Sequence, residues 1–587
     1  RLPMVRRVLS LMVTAVLVSC AAPQDRERSA GASEQQGPDA VISDLESSIP
    51  DLMRNARIPG LQIALIRDAE VVWEEGFGIT SSESSNPVTA DTIFEAASLT
   101  KPVFAYAVMQ LVDGGLVDLD RPIVAYLPPE EVAGFLGHPT NADGFRADWF
   151  ETITARQVLS HSAGMPHGEG GAIYPLAFEP GSDWKYSAEG YQLLQLAVER
   201  LAGAPLNEII ANTVLGPLEM EKSSMVWREA YEATMANGHG LYGEATDFRR
   251  RSEPMAAASL YTTAGDYARF VCAVINGERL QPATAKEMLT SFIDMSDDGR
   301  LGWSLGFGLQ QDEQGEAFWQ WGDYGVFRSY ILAYPEARTG VVYLTNSFNG
   351  LAVCSDLVAA SVGGDALGCI ELEYQPHDGP FYAFLWDVRD NGADAVAEQL
   401  PEVVAAHPDI FTVDQISDMG QTLEGEDMYG EAIAFHRFNL ERHPNSGRMM
   451  SNLAQAHLLA DDPGRARELY NASLSAEEDP AEPEKIDWIM DYIQAMEEPA
   501  QLDEAFLRTI AGDYGPRHLR VRDGRLYYSR DSTDISAQRP LRAVSSDTFV
   551  LEGVTYFKLR VVLDDTGAPI KLVGMYEGGR TDESERD

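Results

Sequence analysis

Apolar positions recur with different periods along the chain, and the changes of period divide it. "LQIALIRDAEVVWEEGFGI" (61–79) alternates around a polar break, which predicts a β-hairpin turning near Asp68. After Ser98 the apolar residues Val103, Phe104, Ala107, Val108 and Leu111 follow the spacing of one helical face. Stretches 190–203 and 263–277 predict two more helices ending at glycine, and 327–347 predicts a second pair of strands. Helices and an antiparallel sheet together give an α+β domain over residues 41–372. From 388 to 500 the texture is helical. Shifting 416–444 by 34 residues places Met419 on Leu453, Ala432 on Ala466, Phe435 on Leu469 and Leu440 on Leu474, a repeat of helix pairs with 394–411 as a third unit or cap. Residues 503–587 hold "HLRVRDGRLYYSR", a hairpin with an Asp-Gly turn, and further short strands, so a small all-β module is expected.

At 587 residues the chain is long for one core, in keeping with that division. Its 91 acidic against 45 basic residues leave a net charge of −46, a surface that repels phosphate backbones and excludes nucleic acid as a partner. "MVRRVLSLMVTAVLVSC" has two arginines, a short apolar run and a cysteine. It resembles a bacterial lipoprotein signal over 1–20, with Cys20 the lipidated residue and 21–40 a flexible tether. The expected location is therefore the bacterial cell envelope, outside the cytoplasm and lipid-anchored. Cys354 and Cys369 are close enough in sequence to pair there, but spacing alone does not supply their geometry. No Cys/His cluster has metal-ligand spacing, and neither metal nor cofactor is expected.

The chemistry centres on "FEAASLTKPVFAYAVMQLVDGG". Lysine occurs only seven times in the chain, and one of the seven is Lys101, three residues after Ser98 at the start of an apolar helix. Three residues is about one helical turn, so the amine can reach the hydroxyl. Burial and the positive end of the helix both favour a neutral amine, which could take the serine proton. Two rival motifs lack the right context. Ser182–Lys185 also reads S-x-x-K but lies in a loop, and Gly302–Gly306 reads G-x-S-x-G without a strand before it and a helix after it.

Around Ser98 the order of "SLTK", "LSHSAGMPHG" (159–168), "YS" (186–187) and "YTTAGDYARF" (261–270) resembles the serine β-lactamase-related family, which includes class C β-lactamases, DD-peptidases and family VIII esterases. The 34-residue period similarly resembles tetratricopeptide repeats. The first resemblance implies a β-lactamase/transpeptidase-like fold over 41–372, Ser98 as nucleophile, Lys101 as its proton partner, and Tyr186 as a helper base that returns the proton to the leaving group. Ser187 and Ala188 would line the pocket, with Ala188 where the family has an asparagine. The third family motif, Lys-Thr-Gly or His-x-Gly, aligns with Trp321-Gly322-Asp323. An aromatic and an acid cannot hold a carboxylate, which points to ester or neutral amide substrates rather than β-lactams. The N–H groups of Ser98 and of Asp323 or Tyr324 would form the oxyanion hole. A loop histidine, His161, is read as structural. The alternatives are a non-hydrolytic penicillin-recognising sensor or scaffold, and an envelope protein whose helical repeats bind a protein partner.

Overall fold

The computed structural model describes residues 37–136, 146–167, 176–530, 538–576 and 581–586; Cys20 and the signal-like segment lie outside them. Helix α1 spans Pro38–Asn55, so it begins inside the expected tether. Pro38 sits where a helix needs no N–H, and Val41, Leu45, Ile49 and Met53 form its buried stripe. The hairpin follows as β1 (Gly60–Arg67) and β2 (Glu70–Gly78). Asp68 and Ala69 both have positive φ, the left-handed pair that a tight two-residue hairpin turn requires.

Three helices and six strands matter most for the site: α2 (Thr100–Asp113), α3 (Glu189–Ala202), α4 (Ala264–Asn276), and the sheet strands β3 (Ile293–Asp294), β4 (Leu301–Trp303), β5 (Gly308–Asp312), β6 (Gly315–Asp323), β7 (Arg328–Tyr334) and β8 (Thr339–Thr345). The sheet runs β2-β1-β8-β7-β6-β5-β4-β3, and every pair is antiparallel. Strand β1 is covered on both faces, which is why it reads as an almost unbroken apolar run. Ala64 and Ile66 face the core that holds α2 and α4. Leu61, Ile63 and Leu65 face a second core formed with α1, α5 (Cys354–Val362) and α6 (Leu367–Glu371).

The helical segment starts at α7 (Pro380–Ala406), eight residues earlier than expected, and bends at Gly392, whose φ is 79°. It continues as α8 (Val413–Gly425), α9 (Tyr429–Arg442), α10 (Gly447–Leu459), α11 (Pro463–Ser473) and α12 (Pro483–Glu497). Helices α10 and α11 start 34 residues after α8 and α9, and Asp427 and Asp461 turn the two hairpins with φ of 58° and 60°. The stretch 394–411 supplies the second limb of α7, which packs on α9. An Arg389–Glu244 ion pair, Tyr242 donating to the Leu385 carbonyl, and Arg57 over the Trp386 ring fasten this segment to the α+β body.

The C-terminal module opens with a helix the periodicity did not predict, α13 (Glu504–Ile510). Eight strands then form a meander that curls into a nearly closed barrel, β9 (Gly512–Tyr514) to β16 (Thr581–Glu585) in sequence order. Side chains bridge its two edges. Arg517, buried in the second strand, donates to Ser584 at 2.7 Å and pairs with Asp582, while Arg586 donates to the carbonyls of Thr509 and Ala511.

Candidate active site

Ser98 lies in a 3-10 turn between a short strand, Phe94–Glu95, and α2. Its neighbour Ala97 has φ of 47°, a left-handed conformation that costs a non-glycine residue about 1–2 kcal/mol and is held here by a fully packed core. One turn on, Lys101 is 1% exposed. Its Nζ lies 3.1 Å from Ser98 Oγ and 3.0 Å from the Ala257 carbonyl oxygen. Burial lowers its pKa to about 7, with Glu189 pulling the other way. A neutral amine can donate to Ala257 and accept from Ser98 at once, so the geometry suits the deprotonated form. If that form is required, kcat/KM for a neutral ester should climb tenfold per pH unit below about 7 and level off above it. A pH–rate profile flat from 5 to 9 would contradict the assignment.

Tyr186 precedes α3, and its ring is clamped by His161 (centroids 4.2 Å apart) and Trp321 (4.5 Å), with Lys101 Nζ 4.7 Å from its centroid. Its hydroxyl hydrogen-bonds with Ser98, and Gln320 Nε2 donates to it at 3.1 Å. Burial raises the phenol well above its ordinary value, and the hydrogen bonds with Ser98 and Gln320 offset only part of this. A neutral phenol can relay a proton but is a poor base.

Ser187 does not line the cleft. Its Oγ donates to the Pro166 carbonyl at 2.7 Å and accepts the Gly190 N–H, which ties down the start of α3. Ala188 directs its N–H to His167 Nδ1 and offers only a methyl group to the surroundings. His161 is buried and neutral, because burial, Lys101 and His167 all depress its pKa. The Ser187 N–H donates to its Nδ1, and its Nε2 has no hydrogen-bond partner among the described residues. It therefore supports Tyr186 without touching Ser98.

Strand β6 corrects the reading of the third motif. Trp321 packs on the Tyr186 ring, but it is Gln320 whose side chain hydrogen-bonds the Tyr186 hydroxyl and the Ser98 carbonyl. A signal was present in the sequence: the family motif ends in glycine, and Gly322 is that glycine, which places Gln320 at the cation position. The glycine is needed because a Cβ at 322 would overlap the Ala96 carbonyl oxygen and crowd Leu99. Gly322→Ala is expected to push the strand off the Ser98 turn, lowering kcat about 10²-fold and stability by about 1–3 kcal/mol. Steady-state kinetics and thermal melting check both effects.

The same strand places the second oxyanion donor. Tyr324 N–H is engaged by the Phe327 carbonyl at 3.0 Å, so in the antiparallel ladder Gly322 and Tyr324 turn towards β7. Trp321 and Asp323 turn their N–H groups to the other edge, which is open because pairing with β5 stops at Trp319. Asp323, not Tyr324, is thus the donor that can face Ser98. Tyr324 instead braces the wall by donating from its hydroxyl to the Ala258 carbonyl at 2.5 Å. Nor is the Asp323 carboxylate a bare repelling charge. Arg328 pairs with it at 3.0 Å, and Tyr374 donates to it at 2.7 Å. Beyond Asp323 a cavity of about 460 Å³ opens towards α8, lined by Arg328, Phe348, Tyr374, Tyr382 and Asp418.

The rival motifs carry no comparable machinery. Ser304 is fully buried and donates to the Phe307 carbonyl; Ser182 is exposed and donates to the Glu179 carbonyl. Among the described residues no helix is long and apolar enough to cross a membrane.

The "Beta-lactamase" family model matches residues 45–360, just over half of the chain. Esterase EstB of Burkholderia gladioli is 26% identical over 297 residues, covering 42% of this chain and 73% of the esterase. Unguisins hydrolase ungD of Aspergillus violaceofuscus is 26% identical over 281 residues, 42% of this chain and 47% of that one. A D-aminopeptidase of Gluconobacter oxydans is 23% identical over 349 residues, 55% of this chain and 63% of that one.

Proposed function

The chain belongs to the beta-lactamase family of serine hydrolases, and on that premise we propose that it cleaves esters or neutral amides, rather than β-lactams, through an acyl-enzyme on Ser98. The observation that carries the reading is the 3.1 Å contact between the Ser98 hydroxyl and an amine whose pKa burial brings to about 7. Lys101 takes the proton as Oγ attacks the substrate carbonyl. The N–H groups of Ser98 and Asp323 stabilise the oxyanion, and Tyr186 passes a proton to the departing group. Water then attacks the acyl-enzyme by the reverse proton path.

Support for the substrate class comes from charge. Where the family motif supplies a cation for a carboxylate, this chain has the amide of Gln320. Arg328 is committed to Asp323 and Arg249 to Glu95, so neither is free to replace it. The aromatic surface of Tyr186 and Trp321, backed by the buried Trp303, suits an apolar acyl or leaving group. The helical segment we read as a spacer docked on the hydrolase body, and the envelope as the location. A fluorophosphonate should give one adduct, mapped to the peptide holding Ser98, and p-nitrophenyl butyrate should turn over with kcat/KM at least 100-fold above that for a chromogenic cephalosporin. A stoichiometric burst without turnover would favour the sensor, and no adduct at Ser98 would end the proposal.

A further inference from the structure

Cys354 begins α5 and Cys369 lies in α6, and both pack into the core on the sheet face away from α2. They are 1% and 2% exposed, with their sulfurs 2.8 Å apart. Less than 1 Å of movement brings them to the ~2.05 Å of a disulfide. We propose that these two residues form an intramolecular disulfide that staples α6 to α5 behind the strand forming the oxyanion wall.

The remaining described thiol cannot compete. Cys272 belongs to α4 and to the core on the opposite face of the sheet. Forming the bond breaks two S–H bonds and makes one S–S bond. Two protons and two electrons leave with a disulfide-bearing oxidant, such as oxidised glutathione or a disulfide oxidoreductase, which is reduced to two thiols. Because both sulfurs are shielded, and burial beside Cys354 raises the Cys369 thiol well above its ordinary value, exchange occurs while the chain folds rather than in the finished structure.

The staple reaches the site through Tyr374. Its N–H donates to the Cys369 carbonyl at 3.0 Å, and its hydroxyl donates to Asp323 at 2.7 Å. Fixing α6 therefore fixes a contact to the residue whose N–H faces Ser98. That kinetic consequence rests on the proposed Ser98 reaction; the bond itself does not.

The test uses the full chain produced in an oxidising compartment and never exposed to reductant. The protein is unfolded in guanidinium with iodoacetamide and digested without reduction. The expected result is one disulfide-linked pair of peptides containing Cys354 and Cys369, with Cys272 alkylated. Recovery of Cys354 and Cys369 as separate alkylated peptides overturns the proposal. Protein refolded under reductant should melt roughly 5–10 °C lower, the order expected for a closed loop of this length. Cys354→Ala/Cys369→Ala should melt the same with and without reductant, and an equal drop in that variant would also overturn it. If the reduced protein keeps full kcat on p-nitrophenyl butyrate, the link through Tyr374 to Asp323 is wrong while the peptide map still decides the bond.

Discussion

Lys101→Met is expected to remove ester turnover as completely as Ser98→Ala, a fall in kcat/KM of about 10⁴-fold or more, and at the same time to raise the melting temperature. The two halves have one cause. An activated nucleophile and its base act as a unit, so losing either forfeits nearly the whole effect. The base is available because burial strips it of its proton, and that burial opposes folding. In the unfolded chain Lys101 binds a proton up to its ordinary value of 10.5; in the folded protein it releases one at about 7. Between those values the unfolded state holds more protons, so stability rises with pH across that window, and below pH 7 the full penalty applies. At pH 7 the penalty is about 4 kcal/mol. Methionine removes it, keeps the apolar stem, and gives up two hydrogen bonds worth about 1 kcal/mol each. A net gain of about 2 kcal/mol remains at pH 7, or several degrees in calorimetry, and it falls to about zero at pH 9, where the penalty has halved. A variant that is both inactive and less stable at pH 7 would mean that Lys101 is a structural ion and not a strained base.

Tyr186→Phe should lower kcat about 10³-fold for unactivated alkyl esters with little change in KM, and much less for p-nitrophenyl esters. The hydroxyl bridges Ser98 and Gln320, and with burial holding it neutral it can only receive and return a proton. An alkoxide must be protonated as it leaves; a nitrophenolate need not be. The difference between the two substrates isolates proton delivery from general damage to the site. Stability should change by under 1 kcal/mol, because Gln320 keeps the carbonyls of Trp321 and Ser98 as acceptors and the aromatic clamp is untouched. Equal losses on both esters would reassign Tyr186 to positioning.

Much of the architecture could be read from local pattern. The turn at Asp68, the strand pairs and the helix after Ser98 each follow from a period of 2 or 3.6 and its punctuation. Two boundaries moved for equally local reasons. Residues 38–40 (Pro-Asp-Ala) lack a large apolar side chain and so matched a tether, yet they form the first turn of α1 because Pro38 suits a helix start and the buried stripe begins at Val41. Helix α7 begins at Pro380 for the same kind of reason.

The third motif failed differently. Trp321 stands out by composition and does pack on Tyr186, but the cation position of the motif falls one residue earlier, on Gln320. The glycine that must press on Ala96 marks the register, so Gln320 was recoverable from the motif's last position.

What the amino-acid order determined alone is that a hydroxyl and an amine stand one turn apart on an apolar helix, a relation the helical rise enforces wherever the helix packs. What only the tertiary structure decided is that the amine is dry, that the Ala257 carbonyl holds it, that Gln320 reaches Tyr186, and that the Asp323 N–H rather than that of Tyr324 faces the open edge. The contacts to Ala257 and Tyr186 join segments 156 and 134 residues apart. Such contacts depend on which faces meet when the sheet closes over the helices, and no periodicity within a single segment encodes that.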